Sequence, residues 1–207
     1  MSRTDWYRNT EWNAGIADAF EKKLARARDK RQYLRIQACV LASHEPHVAL
    51  ELLDRYFALG ENFDNSQAHV DRATAYMALG ETGNAIASYE AALRREDEFP
   101  HSTTQAYLDL PYLIAIKGIE HRFNDALDIL ERFRSRLLFP VQHFVYHGSR
   151  AIILSRKDIE AARHAATLAL DAASIEHSGF RYHPTVGLVS ARYGQLLGEL
   201  TKLLDIH

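Results

Sequence analysis

The residues whose types and spacing best suit chemistry are His143 and His147. They are four positions apart, and on an α-helix that spacing places both imidazole rings on one face, where they could bind a zinc ion. The spacing supplies no third ligand, although His121 in the preceding segment is a candidate. A chain with 11 histidines is also expected to contain such pairs by chance. We therefore predict no metal site and interpret both histidines as polar side chains of a helix surface or groove.

A second unusual stretch is HSGFRYHPTVG, residues His177–Gly187, in which four large side chains precede a proline. Its arginine and histidine could bind a carboxylate or a phosphate through charge-assisted hydrogen bonds. Pro184 could then begin the next helix, because proline suits the first helical position. The alternative interpretation is a connector whose aromatic side chains pack under that helix. The residues of this candidate binding segment are Phe180, Arg181, Tyr182 and His183.

No other arrangement of residues suggests catalysis. The sequence contains no glycine-rich phosphate loop of the P-loop or dinucleotide type. The single cysteine, Cys39, falls on an apolar helical face, and Arg35 is the only charged residue within one turn that could activate it. Carboxylates are scattered over predicted outer faces. We therefore predict that the protein is not an enzyme and that it uses no cofactor.

Composition limits the other classes of function. The 207 residues include 47% hydrophobic and 25% charged residues, which is ordinary for a globular protein. A net charge of −2 argues against a dominant electrostatic attraction to nucleic acid. No stretch approaches the ~20 apolar residues that a membrane span requires, and the polar opening MSRTDWYRNTEWN does not resemble a secretory signal. One cysteine cannot form an internal disulfide, so we expect a cytoplasmic protein with no membrane partner.

The elements that position these residues are visible in AYMALGETGNAIASYEAAL, Ala75–Leu93. Two apolar periodic runs flank a hinge at Gly80–Gly83, which predicts two short antiparallel helices. The same pattern recurs along the chain, and its anchoring alanines are 36, 41 and 36 residues apart: Ala49, Ala85, Ala126 and Ala162. Helical hairpins at a nearly constant period predict a helical solenoid. We expect about four such repeats over residues 30–175.

Residues 66–99 resemble a tetratricopeptide repeat. Ala73 and Tyr76 match the small residue and aromatic residue of the first helix of that family, and Ala85 and Tyr89 match those of its second helix. The other three hairpins depart from the pattern in their first helices, where larger residues replace the small one: Gln37, Ile114 and Arg150. The resemblance implies an all-α, right-handed superhelix of about ten helices, whose concave groove binds a segment of another protein.

Each end of a solenoid needs a cover for its last apolar face. Apolar residues recur at intervals of four from Trp12 to Leu24, which predicts a capping helix over residues 10–29 with Thr10 as its N-cap. A leucine-rich stripe predicts a second capping helix over residues 184–205. The C-terminal helix could instead form a homodimer contact. The expected architecture is a single domain over residues 1–207.

Aligning the four hairpins places the first helix of each on the groove. The groove residues predicted in this way are Arg31, Arg35, Gln67, Asp71, Thr74, Tyr112, Phe144 and His147. They combine basic, amide, hydroxyl and aromatic groups, which suits a peptide or a helix of another protein. We therefore predict a non-catalytic interaction module whose partner is another protein or peptide. One alternative is a sensor whose solenoid changes pitch on binding a peptide or small ligand. The other is a metal-dependent or enzymatic role near His143, His147 or residues 177–187.

Overall fold

The computed structural model describes residues 5–205, and in that range the chain folds into ten α-helices with no strand. The prediction of an all-α fold with about ten helices is therefore confirmed. No helix of the described range is both long and apolar enough to cross a bilayer. The helices are α1 Ala14–Arg26, α2 Lys30–Leu41, α3 Pro46–Ala58, α4 Asn65–Ala78, α5 Thr82–Glu98, α6 Ala106–Ile116, α7 Phe123–Arg132, α8 Pro140–Leu154, α9 Ile159–Ala173 and α10 Gly194–Asp205. Single 3-10 turns occur at Glu120–Arg122, Arg134–Arg136 and Ala191–Tyr193.

The helices form two compact units, the first ending at Ala106 and the second beginning at Tyr107. In the first unit α2 pairs with α3 and α4 pairs with α5, while α4 also contacts α2 and α3. In the second unit α8 pairs with α9, and α10 packs on both. The single domain over residues 1–207 and the four-repeat solenoid stay predictions.

The alanines that recur at a nearly constant period are all buried in the structure. The four anchoring alanines, Ala49, Ala85, Ala126 and Ala162, have no exposed surface. A methyl side chain lets two helix axes approach, and larger residues fill the space beside it. Tyr56 and Tyr89 do this in the first unit, where they are 1% and 7% exposed.

The N-terminal capping helix is shorter than predicted. Helix α1 begins at Ala14 rather than residue 10 and ends at Arg26 rather than residue 29. The N-cap is Asn13, not Thr10, because the Asn13 side chain accepts a hydrogen bond from the Ile16 backbone N–H at 3.0 Å. Residues 5–12 instead fold over α1 and α2, where Trp6 packs against Phe20 and Tyr33 with ring centroids 5.4 and 4.8 Å away.

Gln37, which departs from the repeat pattern, holds this N-terminal segment. Its side chain is fully buried. The Gln37 Nε2 donates to the Asn9 carbonyl at 2.8 Å, and Gln37 Oε1 accepts from the Asn9 backbone N–H at 3.0 Å and from Asn9 Nδ2 at 2.8 Å. A buried amide is stable only when its donors and acceptors are satisfied. The buried Gln37 amide is therefore satisfied by Asn9 and fixes the N-terminal segment on α2.

The C-terminal capping helix begins ten residues later than predicted, at Gly194 rather than Pro184. A helix cannot pass through Gly187, whose φ is +71°, and the Gly187 carbonyl accepts a hydrogen bond from the Val141 backbone N–H at 2.8 Å. Once formed, α10 buries Leu196 and Leu200 completely. A Cβ at Gly148 would lie 2.8 Å from Leu196 Cδ2, so glycine is needed for this close approach to α8.

Helix α6 contains Pro111 and remains a single helix from Ala106 to Ile116. Before it, Ser102 Oγ donates to the Phe63 carbonyl at 2.8 Å and so holds the preceding loop. At the start of α6, Thr104 Oγ1 accepts a hydrogen bond from the Ala106 backbone N–H at 3.1 Å. The same hydroxyl donates to Glu96 at 2.6 Å. The aromatic ring of Tyr107, in α6, lies 5.8 Å from that of Phe133, just after α7.

Candidate binding surfaces

The structure joins three of the five predicted groove residues of the first unit, Arg35, Gln67 and Asp71. We call the surface of all five the α2–α4 face; its residues are Arg31, Arg35, Gln67, Asp71 and Thr74. Asp71 is 4% exposed and accepts hydrogen bonds from Arg35 NH1 at 3.3 Å and from Gln67 Nε2 at 3.1 Å. Arg35 Nε also lies 3.6 Å from Asp64 Oδ2. The first helices of two neighbouring hairpins are thus joined by a polar network.

Burial shifts the pKa values of two groups in and beside this network, Asp71 and Cys39. Desolvation raises the pKa of Asp71, while its hydrogen bond from Gln67 and the charge of Arg35 act in the opposite direction. Cys39 was predicted on an apolar face, but the residue is exposed. The protein atoms around its sulfur raise the pKa of the thiol to about 11, and the Asp71 carboxylate adds to that rise. A thiol with this pKa is protonated at neutral pH and is a poor nucleophile.

Arg31 and Thr74, the other two residues of the α2–α4 face, each form a hydrogen bond to a backbone carbonyl. The Arg31 guanidinium donates to the Leu59 carbonyl, in the segment between α3 and α4. Thr74 Oγ1 donates to the Val70 carbonyl of its own helix at 3.1 Å. Gln67 and Thr74 are half-buried. They are seven positions apart and therefore occupy one side of α4.

In the second unit one predicted groove residue is wrong. Phe144 is completely buried, so it cannot contact a partner. Its ring lies 5.9 Å from that of Tyr193, and the Tyr193 ring lies 5.7 Å from that of Tyr112. The aromatic side chain that sequence analysis placed in a groove is instead covered by the turn that leads into α10. Tyr112 is half-buried at the edge of this cluster.

Asp109 of α6 lies beside the same aromatic residues. Arg192 NH2 is 3.7 Å from Asp109 Oδ1. Burial raises the pKa of Asp109 to about 6, and the charge of Arg192 counteracts part of that rise. The pKa values of Tyr112 and Tyr193 are raised too, chiefly by burial. Sequence analysis did not single out Asp109, because its burial depends on the distant Arg192–Tyr193 turn.

Replacing Asp109 by asparagine is expected to change how stability depends on pH. A carboxyl with a folded pKa of about 6 and a lower unfolded pKa favours folding below the unfolded pKa, and that contribution is lost as pH rises through the folded pKa. Relative to Asp109→Asn, the wild type should therefore lose on the order of 2 kcal/mol between about pH 4 and pH 7. Urea denaturation at these two pH values measures this change. Parallel pH profiles for both proteins would contradict it.

The structure places His143 and His147 together, as their spacing predicted. Their rings are 6.2 Å apart and nearly parallel, with 17° between the ring planes. Burial, followed by the nearby charge of His143, lowers the pKa of His147 to about 4, so His147 is neutral at pH 7. Among residues 5–205, no group of three or more His, Cys, Asp or Glu side chains is arranged to hold a metal ion. His121 does not complete such a group.

The stretch His177–Gly187, which we call the aromatic loop, closes on itself. The Ser178 backbone N–H donates to the Pro184 carbonyl at 2.8 Å, and Ser178 Oγ donates to the His183 carbonyl at 2.7 Å. The interpretation that its aromatic side chains pack under the last helix is wrong. Tyr182 is 79% exposed and Phe180 is 49% exposed. Arg181 lies over the Tyr182 ring, with Cζ 5.4 Å from its centroid.

A cleft of about 620 Å³ lies along the N-terminal segment. Sequence analysis did not predict it, since it depends on residues 5–12 folding back over α1. Its apolar wall is formed by Trp6, Ile16 and Phe20, and Asp5, Arg8, Glu11 and Lys23 bring both signs of charge to it. The lining therefore contains both carboxylates and cations beside its apolar wall.

Comparison of the chain with protein-family models, curated proteins and solved structures finds no match. The resemblance of residues 66–99 to a tetratricopeptide repeat therefore rests on the residues themselves.

Proposed function

We propose that the protein is a non-catalytic interaction module of the tetratricopeptide type, which binds a segment of another protein in a groove formed by the first helices of its hairpins. Its place of action is the cytoplasm. The partner is an extended peptide or a helix, because a groove between packed helices offers one continuous lining to an elongated ligand.

The packing of the first unit supports this proposal. Helices α2 and α3 form one hairpin, α4 and α5 form the next, and α2 contacts α4 across the pair. Contacts between successive first helices are what a stack of hairpins requires. Ala85 and Tyr89 of α5 are both buried.

The observation that carries the proposal is the polar network of the α2–α4 face. Arg35 reaches from α2 to Asp71 and Asp64, and Gln67 donates to the same Asp71 carboxylate. These bonds fix the side chains before any partner arrives, so binding costs little side-chain entropy. Half-buried Gln67 and Thr74 add amide and hydroxyl groups that can pair with the backbone of a peptide.

The same network supports the alternative of a sensor. Arg35 is the link between two hairpins, and a ligand that drew its guanidinium away from Asp71 would change the contact between α2 and α4. The proposal is then that ligand binding changes the pitch of the stack. Scattering measurements of the radius of gyration with and without ligand distinguish a sensor, whose radius changes, from a module of fixed shape.

The test of the proposal is an affinity capture from lysate of the source cells with a tagged protein and the double variant Gln67→Arg/Thr74→Arg. The two arginines would crowd one side of α4 and repel the ligand that fits the wild type. The expected result is one or more proteins recovered by the wild type and reduced at least ~10-fold with the variant, as expected for loss of a binding hot spot. Quantitative mass spectrometry measures the recovery.

The matched control is Ala58→Arg/Ala87→Arg, which adds the same two charges to exposed positions on the second helices of the same hairpins. It should recover the same partners as the wild type. Equal recovery by all three proteins would show that the α2–α4 face is not the binding site. Metal analysis of the purified protein tests the metal-dependent alternative at His143 and His147.

A further inference from the structure

Charge is unevenly distributed along the second unit. The whole chain has a net charge of −2, yet residues 132–157 contain no aspartate or glutamate. Residues 177–198 contain none either. The cations of these two carboxylate-free segments are Arg132, Arg134, Arg136, Arg150, Arg156 and Lys157 in the first, and Arg181 and Arg192 in the second.

The fold brings the two segments into contact at the start of α8. The Val141 backbone N–H donates to the Gly187 carbonyl at 2.8 Å. The ring of Phe139 lies 5.9 Å from that of Phe180. A Cβ at Gly187 would lie 2.4 Å from Phe139 Cδ1, which shows how closely the loop backbone approaches this ring. The aromatic loop is therefore fixed against the positively polarised N-terminal end of a 15-residue helix.

Large apolar side chains are exposed where the segments meet. Leu138 is 78% exposed and Val186 is 44% exposed, and Phe180 and Tyr182 are exposed as well. Single exposed apolar residues are ordinary, whereas contiguous apolar patches rimmed by polar residues mark interaction sites. Tyrosine, phenylalanine and arginine are also the residues that interfaces favour. We call these four residues, with Arg181, the loop patch.

Arg181 gives the loop patch a positive charge. Its guanidinium lies over Tyr182, and in the described range it forms no ion pair with a carboxylate. An exposed arginine on an aromatic ring can donate two parallel hydrogen bonds to a carboxylate while the ring covers the partner's apolar surface. The nearest acidic neighbours along the chain, Glu176 and Glu199, lie outside the loop.

We propose that the loop patch is a second docking surface, which binds an acidic segment of another protein in which carboxylates flank an apolar side chain. Carboxylates of the partner pair with Arg181, and its apolar side chain packs on Leu138, Phe180 and Tyr182. Nucleic acid fits this surface less well, because Arg181 is the loop's only permanent cation and phosphate backbones need several along their path. The proposal does not depend on the α2–α4 face.

Selection from a phage-displayed library of random short peptides tests the proposal, with the full chain as bait. Peptides that bind the wild type are counter-selected against the double variant Arg181→Glu/Tyr182→Ala. The expected survivors contain aspartate or glutamate on both sides of an apolar residue. Fluorescence anisotropy should show at least ~10-fold weaker binding of such a peptide to Arg181→Glu and to Tyr182→Ala, as for other interface hot spots. Replacing its acidic residues by their amides should weaken it similarly.

Two control variants match the exposure of the substituted residues. Arg28→Glu reverses an exposed arginine of the first unit, and Phe63→Ala removes a ring that is 65% exposed. Both should bind the selected peptide as the wild type does, and so should the Gln67→Arg/Thr74→Arg variant. Loss of binding in that last variant alone would place the peptide on the α2–α4 face and overturn the proposal.

Other outcomes also overturn it. Survivors without acidic residues, or no enrichment over the counter-selection, would exclude an acidic peptide as the ligand. Single-stranded DNA and vesicles of anionic lipid are tested in parallel. Tighter binding of either, lost with Arg181→Glu, would assign the patch to a phosphate-bearing ligand. Since both substituted side chains are exposed, circular dichroism should confirm that every variant retains the wild-type helix content.

Discussion

Phe144→Ala is expected to lower the free energy of unfolding of the second unit by about 3–5 kcal/mol, the usual cost of removing a buried aromatic ring. Phe144 has no exposed surface, and its ring lies 5.9 Å from that of Tyr193. Truncation would leave a cavity beneath the turn that leads into α10. Urea denaturation followed by far-ultraviolet circular dichroism measures the loss. Both tryptophans, Trp6 and Trp12, lie in the first unit, so their fluorescence reports that unit separately.

The control for this prediction is Phe180→Ala, which removes the same ring from the same unit at a position that is 49% exposed. It should cost far less, because much of that ring is already in water. A cost at Phe144 no larger than that at Phe180 would mean that Phe144 is accessible. The prediction from the repeat alignment that Phe144 lines the groove would then stand.

Arg35→Met is expected to destabilise the first unit by about 3 kcal/mol at pH 7. Removing one partner of a buried ion pair leaves the other charge without compensation, which typically costs 3–5 kcal/mol. We expect the lower end of that range, since Gln67 still donates to Asp71. Urea denaturation followed by tryptophan fluorescence measures the change. Arg55→Met is the control, because its exposed pair with Glu21 should contribute only about 0–1 kcal/mol.

The pH dependence of Arg35→Met identifies Asp71 as the cause. Loss of the arginine should raise the pKa of Asp71 further above its unfolded value. A group of this kind favours folding when protonated, and its contribution is lost as pH rises through the folded pKa. The deficit of the variant relative to the wild type should therefore shrink as pH falls through the folded pKa of Asp71. A deficit that stays constant with pH would contradict this role for Asp71.

Local patterns predicted much of the fold. Apolar residues recurring at helical intervals gave the positions of the hairpin helices, and the four alanines of the period are all buried. This succeeds because helix formation and the burial of one helix face depend on residues three and four apart. The pairing of Arg35 with Asp71 was accessible for the same reason, since aligning the hairpins places both on first helices.

What sequence analysis missed depends on contacts between distant residues. Gln37 looked like a departure from the repeat until the fold placed it against Asn9, 28 positions earlier. Phe144 has the spacing of a groove residue, but the turn containing Tyr193 covers it. The start of α10 was placed too early because Pro184 is a local signal, whereas the Gly187 carbonyl is bound by the distant Val141. A sequence pattern cannot show which surface the rest of the chain will cover.

The hydrogen-bonding groups that close the aromatic loop are different from the side chains that the loop exposes to solvent. Its hydrogen bonds run from Ser178 to the backbone carbonyls of His183 and Pro184, and its attachment to α8 uses the backbone of Gly187. None of these bonds involves the side chains of Phe180, Arg181 or Tyr182. Arg181 and Tyr182 are therefore free to diverge while the framework residues keep the loop's shape, whereas Phe180 also packs on Phe139, with ring centroids 5.9 Å apart. The segment is a natural site for grafting: new recognition sequences could be installed there, and related chains could evolve different partners, without redesigning the helices beneath.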